Sequence, residues 1–350
     1  MKDRNTRIKL LEKIIQLDIG YRGIHSMENE NLCTCTSGHL QAAANAIAGL
    51  PRGSQIGILT GCYIPHGDPP APESDGPPGA LCLARGLQHL GYDVLLITDE
   101  VCENVLQKGM RLFSGSFRNL KSFIFPMHST NCQYDPETAD KFFQNYDRIS
   151  CLISVERIGP CHDFESILIQ KIGECDCVAD LFSKYGPGEL AGKCLNMRAE
   201  SIDPYNAPTH LLFDYIHQNR LPVATIGIGD GGNEIGMGAI PWNLVRQNIN
   251  SGVGGRIACR VLTDYTIVAG VSNWGAQALL ASIACLMKQE KVFLDLITEE
   301  SETACLQFLT ENRLAVDGVL GIPNLSVDGI GWDVHLSILK LIRGVIGSAS

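Results

Sequence analysis

A doubly wound α/β fold is predicted by three features of the chain. Short apolar runs of strand type alternate with helical stretches from about residue 55 to 249. A glycine-dense turn, Gly227 to Gly238, lies between a buried strand run and a helix. Charged residues collect where strand runs end, which is where open parallel sheets build ligand sites. The expected architecture is α/β, with a mainly parallel central sheet covered by helices on both faces. It is Rossmann-like, with a smaller C-terminal α+β portion.

In chain order, residues 5–17 and 38–49 read as helices, followed by a strand over Gln55 to Thr60. A Pro/Gly-rich loop, Gly61 to Pro78, leads into a helix from about Gly79 to Leu90. Further strands are expected at Asp93 to Thr98, Lys121 to Phe125, Ile149 to Val155 and Val223 to Ile228, with helices at 136–146, 205–219 and 240–249. After residue 255 the pattern changes. Ile257 to Leu262 and Tyr265 to Ala269 read as paired strands around Thr263-Asp264. Helices at about 274–288, 301–313 and 333–343 follow, with short strand-like pieces in Val316 to Asp328. No long linker or internal repeat divides the 350 residues, so one domain is expected, with a possible subdomain over 256–350.

Composition narrows the function. With 45% hydrophobic and 19% charged residues the chain is of globular type. A net charge of −10 without any Lys/Arg cluster disfavours nucleic acid and anionic membranes as partners. No apolar run is long enough to span a bilayer. The N-terminal segment is amphipathic and basic but lacks a secretory apolar core. Asp3, Glu12 and the scarcity of Ser argue against a transit peptide. A cytoplasmic location is therefore expected, the mitochondrial matrix being the alternative. The 14 cysteines read as reduced thiols, because the chain is too long for a disulfide scaffold. Apolar helices late in the chain offer a face on which a homo-oligomer could form.

The glycine turn carries unusual cargo: Asp230, Asn233 and Glu234. Gly227-Ile-Gly-Asp-Gly-Gly232 satisfies the dinucleotide pattern G-x-G-x-x-G. Yet Asp230 would face the pyrophosphate with like charge, and the acidic residue expected about 20 positions later is missing. No nicotinamide or flavin cofactor is expected, and a plain structural turn is the bland alternative. Carboxylates beside backbone N–H groups suit a cation, an ammonium group or acid–base chemistry instead.

Four other segments carry chemistry. Glu73-Ser-Asp-Gly-Pro-Pro-Gly79 places Asp75 before a helix start, as a cap or as a ligand. Glu156-Arg157 ends a strand, either as an ordinary ion pair or as a recognition pair in which the guanidinium grips a carboxylate. Ser272-Asn273-Trp274 opens a helix, where Asn273 is a natural cap. Val327-Asp-Gly-Ile330 is followed by His335, which reads more readily as a packed residue than as a catalyst. A zinc site from Cys161-His162 with Cys175-Asp-Cys177 departs from the usual C-x2-4-C spacing, and Cys33-Thr-Cys35 is weaker still.

Taken in order, Thr60-Gly61 with Asp75-Gly-Pro-Pro-Gly-Ala80, Glu156-Arg157 with Gly159, Gly227 to Gly238, Ala269 to Gly275 and Val327-Asp-Gly329 resemble the C-terminal domain family of D-glutamate cyclases. The resemblance implies a lyase that converts D-glutamate to 5-oxo-D-proline and water. Larger members carry a separate hydro-lyase-like domain before this one. Members also pass almost directly from Glu-Arg-x-Gly to an Asn-x-Arg segment. Here Asn196-Met-Arg198 follows an extra stretch, about 161–195, that reads as an insertion.

For this reaction Glu156, Asp230 and Glu234 are the candidate acid–base residues. Arg157 and Arg198 are expected to hold substrate carboxylates. Gly229, Gly231 and Gly232 would present N–H groups to developing charge, with Ser272 and Asn273 also at the substrate. Asp75, Glu156, Asp230, Asn233 and Glu234 could hold Mn²⁺ or Mg²⁺, since hard cations take oxygen ligands. The same ligand set fits an alternative, a Mn/Mg-dependent phosphatase or related phosphoester hydrolase. A non-catalytic binder of a small acidic metabolite, D-glutamate or a phosphorylated compound, is a third reading.

Overall fold

The computed structural model describes residues 2–25, 30–118, 120–127, 137–170, 178–250 and 252–348. Six strands form the central sheet: β1 (Gln55–Thr60), β2 (Asp93–Asp99), β3 (Lys121–Phe125), β4 (Ile149–Val155), β5 (Ala224–Gly229) and β6 (Tyr265–Val268). All neighbouring pairs are parallel and run in the order β3-β2-β1-β4-β5-β6. Chain order reverses direction between β1 and β4. A crevice opens there, at the carboxyl ends of the strands.

Strand periodicity explains the layers. Ile56, Ile58, Val94, Leu96, Cys151 and Ile153 point to one face, where they join the helices Lys2–Ile15, His39–Ala48, Pro77–His89, Ser272–Leu286 and Trp332–Gly347. Their sequence neighbours Leu59, Leu95, Ile97 and Leu152 point to the other, against Glu137–Asn145, Leu211–Asn219 and Trp242–Asn248. Strands buried on both faces lack the apolar–polar alternation of a half-exposed sheet, hence their continuous apolar runs. Ser272–Leu286 is the central helix: its residues from Ser272 to Cys285 are all buried. No helix among the described residues is long and apolar enough to cross a membrane.

One expectation is corrected. Ile257 to Leu262 does not pair with Tyr265 to Ala269 as a strand ribbon. Gly254–Ile257 is a helical turn and Tyr265–Val268 joins the main sheet, parallel to β5. The apolar residues of the first run are buried by packing instead: Ile257, Cys259 and Val261 fill space beneath the glycine turn. Burial of a short apolar run does not distinguish strand from irregular backbone. Within 161–195, the described residues carry the helices Phe164–Ile169 and Val178–Tyr185.

Candidate active site at the carboxyl ends of the strands

The loop after β1 reaches the crevice through Glu73 and Asp75. Asp75 accepts hydrogen bonds from the N–H groups of Ser272 and Asn273, both at 2.8 Å. It therefore satisfies the open donors at the start of helix Ser272–Leu286. Asn273 returns the service: its Oδ1 accepts from Gly76 N–H at 3.1 Å and Gly79 N–H at 2.7 Å, at the start of helix Pro77–His89. Two helix N-termini thus cap each other through side chains nearly 200 residues apart in the chain, and Asp75 is held below the floor of the crevice. Gly76 makes the approach possible. Its φ is +91°, and a Cβ there would lie 2.8 Å from Glu156 Cβ.

Glu156 follows β4 directly, with φ of +46°, a strained backbone for a residue with a side chain. That left-handed step turns its carboxylate into the crevice, where Oε2 accepts from Ser272 Oγ at 2.5 Å. The next residue goes the other way. Arg157 is fully buried, and its guanidinium donates to Asp99 Oδ2 at 2.5 Å, Gly61 O at 2.7 Å and Ala207 O at 2.9 Å. The expected carboxylate grip of Arg157 is thus exerted on the protein's own Asp99, at the end of β2. Replacing Arg157 with Ala should strand a buried carboxylate and cost about 3–5 kcal/mol of stability. The urea midpoint reads this directly; an unchanged midpoint with a raised KM would return Arg157 to the substrate.

The glycine turn after β5 is filled from within. Glu234 folds back so that its carboxylate accepts the N–H groups of Asp230 (3.0 Å), Gly231 (2.6 Å) and Gly232 (2.8 Å). Of the expected substrate-facing donors Gly229, Gly231 and Gly232, the last two are thus taken by Glu234, and the same nest would cradle the pyrophosphate in a dinucleotide protein. Here an internal anion occupies it, and its effect is to fix the turn that presents Asp230. Gly229 allows this, since a Cβ on it would meet the Glu234 carboxyl carbon at 2.8 Å. Asn233 donates from Nδ2 to Leu195 O at 2.9 Å and lines the crevice.

Three of the site's residues, Arg22, Glu73 and Asp328, carried no site role in the sequence. Arg22, from the segment after the first helix, places Nη1 2.8 Å from Asp230 Oδ1 and Nη2 2.7 Å from Asp328 Oδ1. Asp328 has φ of +58° in the short turn Val327-Asp-Gly329, which the resemblance did single out. Glu73 lines the crevice beside Glu156 and Asp328. Arg198 stands exposed on the rim. The cleft holds about 480 Å³.

Glu73, Asp75, Glu156, Asp230, Glu234 and Asp328 thus surround the one guanidinium of Arg22, and like charges so close resist joint ionisation. Burial, reinforced by Asp328, pushes Glu73 well above the ordinary carboxylate range. Burial and Glu234 do the same to Glu156. For Asp230 burial again dominates, and Arg22 only partly offsets it. Asp75 is pushed up to about 8 by burial and Asp328, against the opposing N–H bonds of Ser272 and Asn273. Burial works against the Arg22 charge, but Asp230, Asp328 and their neighbours overcome it and raise its pKa.

A cation fits this cluster. Asp230 Oδ2, Asp328 Oδ2 and Glu73 Oε1 are buried without a hydrogen-bond partner among the described residues. Asp75, Asp230 and Asp328 can each offer an oxygen within 4.8 Å of the others, as can Glu156, Asp230 and Glu234. An all-oxygen donor set suits Mg²⁺ or Mn²⁺.

The zinc reading finds no support around Cys161 and His162. Among the described residues no metal-type cluster includes a Cys or His; Cys175 and Cys177 lie outside them. His162 bonds Ser166 Oγ at 2.8 Å, and Cys33 is buried while Cys35 is exposed. His335 accepts from Trp274 Nε1 at 2.9 Å and is buried, a packed residue.

Fold and site together define a doubly wound α/β protein with an acidic small-molecule cleft at its switch point. The chain belongs to the family described as D-glutamate cyclase-like, C-terminal, whose model matches residues 11–166 and 184–343. The unmatched residues 167–183 fall inside the stretch read as an insertion. The chain is also 28% identical over 380 aligned residues to the human protein named D-glutamate cyclase, mitochondrial. That alignment takes in 97% of this chain and 52% of the human protein, so the chain spans about half the length of the curated relative it matches.

Proposed function

We propose that this chain is a lyase that cyclises D-glutamate to 5-oxo-D-proline with loss of water. The observation that carries the reading is the convergence of Glu73, Glu156 and Asp328 on one wall of a cleft whose floor holds Arg22. Family membership and the name of the human relative support the choice of substrate.

The chemistry asks for what such a wall can give. The α-ammonium must shed two protons as its nitrogen attacks the γ-carboxyl carbon, and the departing oxygen must gain two to leave as water. A carboxyl group whose pKa burial has raised holds a proton more readily than an ordinary carboxylate and can return it to a leaving group. Glu156 takes the role of proton carrier: it lines the cleft and Ser272 fixes its orientation. Arg22 and the rim residue Arg198 suit the two substrate carboxylates, because guanidinium groups bind carboxylates in a planar fork. Asp75 holds the start of helix Ser272–Leu286, Asp230 holds Arg22, and Glu234 holds the turn in place. A divalent ion bound by Asp75, Asp230 and Asp328, or by Glu156, Asp230 and Glu234, would supply Lewis-acid polarisation of the γ-carboxyl group.

The two carboxylate triads sharing Asp230 also favour a second reading, a Mn/Mg-dependent phosphoester hydrolase. The deciding experiment incubates purified chain with D- or L-glutamate, with Mn²⁺, Mg²⁺ or chelator, beside a panel of phosphate esters. Formation of 5-oxoproline from the D-isomer is the expected result. Phosphate release without 5-oxoproline would replace the first reading with the second. On location, the name of the human relative favours the mitochondrial alternative over the cytoplasm.

A further inference from the structure

The cleft is larger and more apolar than free glutamate requires. A volume of about 480 Å³ belongs to the range, roughly 300–1,000 Å³, that houses drug-sized ligands. Beside the acidic residues, Tyr63, Ile64, Ile158, Val319, Leu320 and Ile322 also line it. Val319, Leu320 and Ile322 are 58%, 49% and 46% exposed, a cluster of aliphatic side chains set together at the mouth of a polar site. Aliphatic groups gathered at a site in this way mark a surface that a ligand covers.

This lip is built, not loose. Buried Asp317 accepts the N–H groups of Val319 at 2.9 Å and Leu320 at 2.8 Å. The same carboxylate accepts Gly329 N–H, next to Asp328, and Ser326 Oγ at 2.5 Å. Asp68 N–H donates to Gly321 O at 2.7 Å and ties the lip to the segment that follows Ile64. One anchor therefore sets both the apolar lip and the acidic Asp328, so the two halves of the cleft are presented at a fixed spacing.

From this juxtaposition we infer that the cleft takes D-glutamate whose γ-carboxyl group is joined to an apolar amine. Such a γ-D-glutamyl amide would lie with its head against Glu73, Glu156 and Asp328 and its tail on the aliphatic lip. The inference rests on the cyclase reading above and names the substrate class of the same site. The α-nitrogen attacks the γ-carbonyl carbon and forms the ring C–N bond, while the C–N bond to the apolar amine breaks. Both protons shed by the α-ammonium end on the departing amine, which leaves as its own ammonium ion beside 5-oxo-D-proline. No water, oxidant or reductant is consumed.

The test compares three substrates on the intact chain: D-glutamate, its γ-methylamide and its γ-isopentylamide, reading 5-oxoproline and free amine. Each buried methylene is worth about fourfold, so kcat/KM for the isopentylamide should exceed that for the methylamide at least tenfold. Leu320→Asp and, separately, Ile322→Asp should bring that ratio close to one, with an unchanged melting temperature as the control for folding. Equal kcat/KM for the two amides, or turnover of D-glutamate alone, overturns the inference and leaves the cyclase reading standing. Absence of 5-oxoproline from all three substrates removes the cyclase reading, and the inference falls with it.

Discussion

Glu156→Gln should lower kcat by about 10²–10⁴-fold, the usual contribution of a positioned proton carrier, while making the protein more stable at pH 8. The two effects have one cause. Glu156 is a buried carboxyl group placed by a left-handed backbone step and crowded by Glu234, Glu73 and Asp75. Its pKa in the folded protein lies well above the ordinary value of about 4.3. The stability it contributes is complete below that ordinary value and is lost as pH rises through the folded pKa. Glutamine keeps the shape and can still accept from Ser272 Oγ, but it never ionises. The variant should therefore unfold at higher urea than the parent at pH 8, with the two midpoints drawing together near pH 4. A kcat within threefold of the parent would remove Glu156 from the chemistry. A midpoint lower than the parent's at pH 8 would mean that the carboxylate is a stabilising anion, and the account of the cluster would be wrong.

The sheet and three of the acidic positions were legible for a simple reason: they are local patterns. Apolar runs of strand length separated by helices define a parallel sheet, and glycines at strand ends mark where its ligand edge lies. Asp75, Glu156 and Asp230 stand beside those glycines. Other features depend on geometry that residue order does not contain. Arg22 meets Asp230 across 208 positions of sequence, and no motif surrounds it. Arg157 was expected in the cleft because it adjoins Glu156. Neighbours in an extended chain point to opposite sides, so with the Glu156 carboxylate in the cleft the Arg157 guanidinium goes to Asp99. The turn after β5 was read as an open nest because the sequence shows which donors are freed. It does not show that Glu234, four residues beyond Asp230, curls back to take them.

Saturating Mn²⁺ or Mg²⁺ should raise the melting temperature by roughly 4 °C at pH 8.5 and much less at pH 6. Without a bound cation, Asp75 carries a folded-state pKa of about 8, above its ordinary value of about 3.9. Its favourable contribution is whole below about pH 4 and disappears as pH climbs through about 8. The protein alone should accordingly lose stability between about pH 4 and 8, read as a falling urea midpoint. A hard cation binds carboxylates in their ionised form, so it competes with protons and gains affinity as they leave. At a free ion concentration 100-fold above Kd it adds about 2.7 kcal/mol to the folded state, which corresponds to the stated rise for a chain of this size. Asp230 belongs to both carboxylate groups that can surround an ion. Asp230→Asn should thus abolish the shift while keeping a folded protein, since Asn Oδ1 can still accept from Arg22. An equal shift at both pH values, or one that survives in this variant, would place the ion elsewhere. If neither ion moves the transition at pH 8.5, the cluster is balanced by protons and Arg22 alone, and the proposed cyclisation would have to rest on proton transfer among the carboxyl groups.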